Sequence, residues 1–317
     1  MAAERRYPSR MKHRRLGRTN LRVSVIGLGT WQFGGEWAKD FSQDEADRII
    51  DRAADLGINL IDTAECYGDH TSEAFIGNAL ARRGDRDQWV IATKFGHHFL
   101  GHQQRDTVYE PADVVKQLEG SLRALRTEYV DVYQFHSGSD AEFNTPGLWE
   151  TLAEQKRRGK VKHLGISISS KRENLNQVEA SDRIDADVIQ VLYNRLERGP
   201  EARVLPACRK MDLGVLARVP LASGLLSGKY KPGVQFPPGD VRAGEDPRKL
   251  DEKLREVEKI ARDEVPPAVP MARWALAWCL RHEAVTSVIP GCKDVHQVEA
   301  NAAGADLVQE GHPLALK

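Results

Sequence analysis

The chain has 317 residues, 41% of them hydrophobic and 29% charged, with 46 basic and 46 acidic side chains and hence no formal net charge. That composition belongs to a soluble globular protein and argues against a strongly basic nucleic-acid binder or an acidic tail. Aromatic residues, at 7%, are too sparse to interleave with basic runs as single-strand platforms do. Four cysteines (Cys66, Cys208, Cys279, Cys292) are widely scattered, with no metal-ligand or redox spacing. They read as reduced thiols of a cytoplasmic protein. The first ten residues are charged and lead into no apolar segment, so no secretory signal is expected. No apolar run approaches the ~20 residues of a membrane-spanning helix.

Residues 11–24 read as two short strands around Gly17–Asn20, a hairpin. Val25-Ile-Gly-Leu-Gly is a first buried strand, and the Gly-rich loop 30–35 follows. A rhythm of helix and strand then begins. Helical spacing over 44–56 stops at Gly57, and 72–83 stops at Gly84. Pro111 sits where a first-turn proline belongs, ahead of Val114, Leu118, Leu122 and Leu125 on one helix face. Further helices are predicted over 148–158, 171–180, 202–211, 248–262, 271–281 and 294–303. The apolar runs 59–61, 89–93, 130–135, 161–166, 188–191, 214–218 and 287–289 read as strands two to eight. The segments 97–110 and 137–146 and the Pro- and Gly-rich stretch 228–245 read as loops. Eight strands alternating with helices over 1–317, without a shift in composition, predict a single domain: a (β/α)8 barrel with an N-terminal hairpin plug and two extra helices. An open doubly wound sheet is disfavoured, because Gly27-x-Gly29 is followed by Gln32 and a loop, so no Gly-x-Gly-x-x-Gly joins a strand to a helix.

In such a barrel the carboxyl ends of the strands gather at one face. Asp62 closes strand two, Lys94 follows strand three and His136 closes strand four, with Tyr67 in the loop after Asp62. An ammonium that starts in an apolar layer needs a counter-charge, and Asp62 is on the neighbouring strand. A lysine held cationic beside a phenol stabilises phenolate, so Tyr67 is expected below its ordinary pKa of ~10. So tuned, it would give a proton to a carbonyl oxygen that His136 orients. Each piece has a plainer reading: Asp62 with Lys94 equally describes a barrel-interior ion pair, and His136 alone a satisfied strand-end histidine. Convergence of all four on one rim is what favours chemistry. His97 and His98 could flank the substrate pocket, but read better as solvated loop residues; Cys66 reads as a packing residue, with no histidine partner evident for nucleophilic work, and no His/Cys/Asp cluster suggests a metal site.

The motifs Arg15-Leu-Gly-Arg-Thr, Leu28-Gly-Thr-Trp, Ile61-Asp-Thr-Ala-Glu-Cys-Tyr-Gly, Ala92-Thr-Lys, Asp131-Val-Tyr-Gln-Phe-His, Leu164-Gly-Ile-Ser, Gln190-Val-Leu-Tyr-Asn, Pro220-Leu-Ala-Ser-Gly-Leu-Leu-Ser-Gly-Lys and Ile289-Pro-Gly together resemble the aldo-keto reductase family. The resemblance runs from about residue 12 to 307. It implies a barrel that reduces aldehydes, ketones or sugars with NADPH, with Asp62, Tyr67, Lys94 and His136 as its tetrad. It also implies that Ser167 and Gln190 hold the nicotinamide carboxamide of NADPH or NADP+. Gly29, Thr30 and Trp31 line the mouth together with Asp62. Pro220, Leu221, Ala222, Ser223, Gly224, Ser227 and Lys229 would wrap the pyrophosphate, and Gly291, Cys292, Lys293, Gln297 and Asn301 the adenosine end. Backbone N–H groups and a lysine suit phosphate oxygens. Three positions depart from the family's usual pattern: Ile168 where Asn is usual, Arg218 where an aromatic stacks on the nicotinamide, and Ala300 where an acid meets adenine. These departures imply weaker or atypical cofactor affinity. Some relatives of the family act as cofactor-sensing regulatory subunits, which is the alternative to an enzyme; a barrel isomerase or lyase that binds no nicotinamide is a third reading.

Overall fold

The computed structural model describes residues 11–169, 175–308 and 311–314. Strands β1 (His13–Arg15) and β2 (Arg22–Ser24) pair antiparallel as the expected hairpin. Eight parallel strands follow: β3 (Leu28–Gly29), β4 (Leu60–Asp62), β5 (Val90–Phe95), β8 (Val130–His136), β9 (Val161–Ser167), β10 (Ala186–Leu192), β11 (Gly214–Arg218) and β12 (Ser287–Val288). Their order in the sheet is the order of the chain. The sheet closes on itself, since Gly27 N–H donates to the Val288 carbonyl, Val288 N–H to that of Val25, and Gly29 bridges Gly291. This is the (β/α)8 barrel expected of the sequence.

Helices α1 (Gln43–Asp55), α2 (Thr71–Arg83), α3 (Pro111–Ala124), α5 (Leu148–Arg157), α6 (Leu175–Glu179), α7 (Val204–Lys210), α8 (Pro247–Asp263), α9 (Met271–Leu280) and α10 (Val295–Ala302) surround it. Local chemistry sets their ends. Ser42 and Glu45 form a capping box at the start of α1, and Gly84, at φ +68°, closes α2. The apolar stripe of α3, Val114, Leu118 and Leu122, is buried on the sheet. The first part of the helix predicted over 171–180 lies outside the described residues.

Two differences concern the loops. The stretch 97–110 contains an antiparallel hairpin, β6 (His97–Gly101) with β7 (Gln104–Thr107), and 137–146 holds a one-turn helix, α4 (Asp140–Phe143). Neither shows apolar periodicity, because each sends one side chain into the core, Tyr109 from the first stretch and Phe143 from the second. No helix among the described residues is long and apolar enough to cross a membrane.

The hairpin β1–β2 does plug the barrel's amino-terminal end. Leu16 and Val23 are fully buried in one cluster with the inward-facing Leu60, Val90, Ala92, Val132, Val188, Leu216 and Ile289. Arg14 pins the plug from beneath, donating to the carbonyls of Val285 (2.6 Å) and Leu280 (2.9 Å). Side chains alternate along a strand with period two, so this apolar layer dictates what lies above it. Two residues beyond Leu60, Ala92, Val132, Val188 and Leu216 come Asp62, Lys94, Gln134, Gln190 and Arg218. The barrel is thus apolar below and polar at its carboxyl-terminal mouth.

Candidate active site

The polar layer is tightly bonded. Lys94 Nζ donates to Asp62 Oδ2 (2.8 Å) and to the Thr63 carbonyl (2.7 Å), and it lies 3.3 Å from the Tyr67 hydroxyl. Asp62 Oδ1 accepts from the amides of Gln190 (2.6 Å) and Gln134 (3.3 Å). Both charged side chains are all but inaccessible. Burial pulls the Lys94 pKa down, but Asp62 and Tyr67 outweigh it and the net direction is up. The ammonium therefore keeps its proton. Gln134 was not among the residues expected here; a glutamine two places before His136 on an otherwise apolar strand was the available signal.

Tyr67 reaches this layer from the loop after β4. The 3-10 turn Trp31–Gly34 presses on it, with the Trp31 ring stacked at 6.2 Å. Gly34 makes the approach possible: a Cβ there would lie 2.6 Å from the Tyr67 carbonyl carbon. The expected depression of the Tyr67 pKa is not found. Burial raises it first, Lys94 opposes this and Asp62 reinforces it, leaving the phenol at about 12. Placing the phenol beside a lysine that is itself bonded to a carboxylate leaves little net charge to offset desolvation. Tyr67 holds its proton throughout the neutral range.

His136 ends β8 with its ring 6.4 Å from that of Tyr67. The Tyr109 hydroxyl donates to its backbone carbonyl (2.7 Å), which fixes the strand end. Burial, then the charges of Lys94, Arg218 and Arg105 and the neighbouring His97, push its pKa well down, so the imidazole is neutral. Two expectations are corrected here. Cys66 does have a histidine partner, with Sγ 3.9 Å from His136 Nδ1, and His97 is no solvated loop residue: it is half-buried and its ring stacks on His136 at 4.1 Å. The cause is the unforeseen β6–β7 hairpin, which folds His97 back over the mouth while His98 points to solvent. Glu36 fastens that hairpin. Its buried carboxylate accepts from Arg105 (2.6 Å), Gln103 N–H (2.8 Å) and Trp31 Nε1 (2.6 Å). Glu36 and Arg105 carry no local sequence signal, being 69 residues apart.

The residues assigned to a coenzyme line one side of the mouth. Gly29 ends β3 against Gly291; a Cβ on Gly29 would lie 2.6 Å from the Ile289 carbonyl oxygen. The Thr30 hydroxyl is taken by the Asp62 carbonyl and Ser72. Ser167 and Gln190 are adjacent, with Ser167 Oγ donating to Gln190 Oε1 (3.4 Å). Arg218 donates through Nη2 to the Ile168 carbonyl (3.2 Å), so two of the departures from the family pattern touch each other. From Val219 the chain turns through Pro220 and Leu221 into a 3-10 segment, Ala222–Ser227, with Val219, Ala222, Ser223 and Gly224 all at positive φ. A β-branched residue at φ +54° is a strained conformation of the kind that marks ligand loops. Lys229 is exposed beyond it. Lys293 donates to the Trp37 carbonyl (2.7 Å) and its N–H to Gln297, whose segment is capped by Asp294, while the buried Asn301 reaches the Gly291 carbonyl. Cys292 is buried and Ala300 half-buried. The Lys293 pKa is lowered by burial and by Arg242, Lys229 and Lys39, against the pull of Asp240. Among the described residues, the buried polar atoms without partners on this side include Arg218 Nε, Trp37 Nε1 and Gln32 Oε1, the last against Gly291. Orphaned donors and acceptors, a left-handed backbone loop and a cluster of cations suit a dinucleotide with its carboxamide and phosphates.

The fold agrees with comparisons to known proteins. The profile of the Aldo/keto reductase family matches residues 25–310. The NADH-specific methylglyoxal reductase of Escherichia coli K12 is 31% identical, over 94% of each chain. The oxidoreductase YrpG of Bacillus subtilis 168 is 34% identical, over 91% of this chain and 89% of its own. Among solved structures, the holo form of the aldo-keto reductase AKR11C1 from Bacillus halodurans superposes with a TM-score of 0.76 at 30% identity, covering 95% of this chain and 99% of that one. The glycerol dehydrogenase AKR11B4 from Gluconobacter oxydans gives 0.78 at 31%, covering 92% and 90%. The chain belongs to the aldo/keto reductase family.

Proposed function

We propose that this protein reduces small carbonyl compounds with a nicotinamide coenzyme, Tyr67 donating the proton to the carbonyl oxygen. The observation that carries this reading is the chain of contacts from Tyr67 hydroxyl to Lys94 Nζ (3.3 Å) to Asp62 Oδ2 (2.8 Å) at the barrel mouth. A phenol at about 12 is protonated at neutral pH, as a donor must be. When it leaves as tyrosinate, the adjacent ammonium stabilises it, and Asp62, Gln134 and Gln190 hold that ammonium in place. His136, neutral and fixed at the strand end, orients the carbonyl by a hydrogen bond. When bound, the coenzyme supplies the hydride. Ser167, Gln190 and Arg218 would hold its nicotinamide end, the Val219–Ser227 loop its pyrophosphate, and Lys293 with Gln297 and Asn301 its adenosine.

Lys229 and Lys293 at the adenosine end, with Lys39 and Arg242 behind them in ion pairs to Glu45 and Asp240, favour NADPH, whose additional phosphate the two lysines would meet. NADH is the competing reading, since the similar E. coli protein is named for it. The closed barrel supports reading 1–317 as one catalytic domain, and four buried cysteines outside any disulfide support a reducing, cytoplasmic setting. The test is coenzyme oxidation, with NADPH and NADH separately, against a panel of 2-oxoaldehydes, simple aldehydes, hydroxyketones and sugars. Turnover with NADPH is expected, and Lys293→Ala should erode the preference for it about tenfold or more. Coenzyme binding without turnover on any carbonyl would favour a regulatory subunit instead.

A further inference from the structure

At the hairpin side of the mouth two side chains that the mechanism does not use, Cys66 and His97, come together with His136 of the tetrad. Cys66 Sγ, a ring nitrogen of His97 and a ring nitrogen of His136 all lie within 4.8 Å of one another, and the Cys66–His136 separation is 3.9 Å. They arrive from three directions: the β4 loop, the start of β6 and the end of β8. Cys66 is buried and both histidines are half-buried, so the cluster is reachable from solvent but shielded from it.

We propose that Cys66, His97 and His136 form a binding site for a borderline-soft divalent transition ion, Zn2+ by preference, and that its occupation slows carbonyl reduction. One thiolate and two imidazoles are the donor set such ions favour over Mg2+ or Ca2+. Bond lengths of ~2.3 Å to sulfur and ~2.0 Å to nitrogen place tetrahedral donors ~3.5 Å apart. The Cys66–His136 pair is already near that spacing. The His97 ring must leave its 4.1 Å stack on His136, because two parallel rings cannot both hold one ion in their planes. His97 is the member on the hairpin and partly exposed, so it is the one free to turn. On binding, the thiol proton passes to solvent and the sulfur–metal bond replaces the S–H bond; no oxidant or reductant enters.

Charge does not forbid the ion. Of the cations near the cluster, Lys94 and Arg105 are paired with Asp62 and Glu36; the thiolate and Glu142, which faces His97, add negative charge against Arg218, which is bonded to the Ile168 carbonyl. Three protein donors leave a fourth position for water or a substrate oxygen. An ion held between His136, His97 and Cys66 narrows the approach of a carbonyl to His136, hence the slowing. Only this kinetic consequence rests on the proposed catalytic role of His136; binding itself does not.

The test uses the full-length protein and Co2+ as a spectroscopic probe, with Zn2+ as competitor. A single equivalent of Co2+ should give a thiolate-to-metal charge-transfer band that Zn2+ abolishes. Cys66→Ser should remove the band, and His97→Asn should weaken affinity at least about tenfold. Circular dichroism of each variant guards against loss of fold. With each variant compared to its own metal-free rate, Zn2+ should slow the wild type at concentrations that leave His97→Asn unaffected. The proposal is overturned if no band appears, if the band survives Cys66→Ser, or if Zn2+ slows wild type and His97→Asn equally. Binding with these mutational effects but no carbonyl reduction in any form would instead strike at the catalytic reading and leave the metal site standing.

Discussion

At the scale of single residues, the decisive quantity is the competition between burial and neighbouring charge around Tyr67. Lysine alone would depress the phenol, but here the lysine is bonded to Asp62 and burial prevails, leaving the phenol at about 12. A proton donor with a raised pKa stays protonated below that value and is lost only as pH rises through it. His136, whose pKa is pushed well down, stays neutral from the ordinary histidine range upward and acquires a proton only in acid. Carbonyl reduction with saturating coenzyme should therefore be flat from roughly pH 6 to 9. A steady-state profile with a limb near neutrality would contradict these assignments. Lys94 and Asp62 are a pair in which neither tolerates the other's loss: both are buried and each completes the other's hydrogen bonding. Lys94→Met should cost about 3–5 kcal/mol of stability in urea unfolding, because it strands a carboxylate in the barrel.

At the scale of elements, the strands carry the site and their reading from sequence was close. Apolar runs ending in Asp62, Lys94 and His136 announced both the strands and the polar layer, since period-two alternation above an apolar floor is a local property. The β6–β7 hairpin was not legible. Its pairing rests on Glu36 reaching Arg105, Gln103 and Trp31, contacts between segments with no shared pattern. Missing it also misplaced His97 and hid the partner of Cys66. Glu36→Ala should release the hairpin and raise KM for the carbonyl more than it lowers kcat, as loss of a positioning contact does. The β11 end makes a different prediction. Arg218 puts a cation where an aromatic ring is usual in the family, and an oxidised nicotinamide is itself cationic. Arg218→Tyr should tighten NADP+ at least about fivefold relative to NADPH, measured by fluorescence titration of each form. An unchanged ratio would mean that Arg218 stands away from the nicotinamide.

At the scale of the whole molecule, the barrel separates what holds it together from what it does. The apolar floor and the Leu16–Val23 plug close the amino-terminal end, and Arg14 anchors the plug to the carbonyls of Leu280, the last residue of α9, and Val285, just before β12. The carboxyl-terminal mouth then collects groups from β4, β5, β8, β9, β10 and β11, 156 residues apart along the chain from Asp62 to Arg218, which only closure of the sheet brings into one ring. That closure was foreseeable from eight alternating units. The choice of coenzyme and carbonyl was not, because it depends on how 97–110, 137–146 and 228–245 lie over the mouth. The measurement that tests the central claim most directly is Tyr67→Phe assayed twice, once for NADPH binding by fluorescence and once for carbonyl reduction. The account predicts unchanged binding and a kcat lower by about 10²–10⁴-fold; reduction at near wild-type rate in the variant would contradict it.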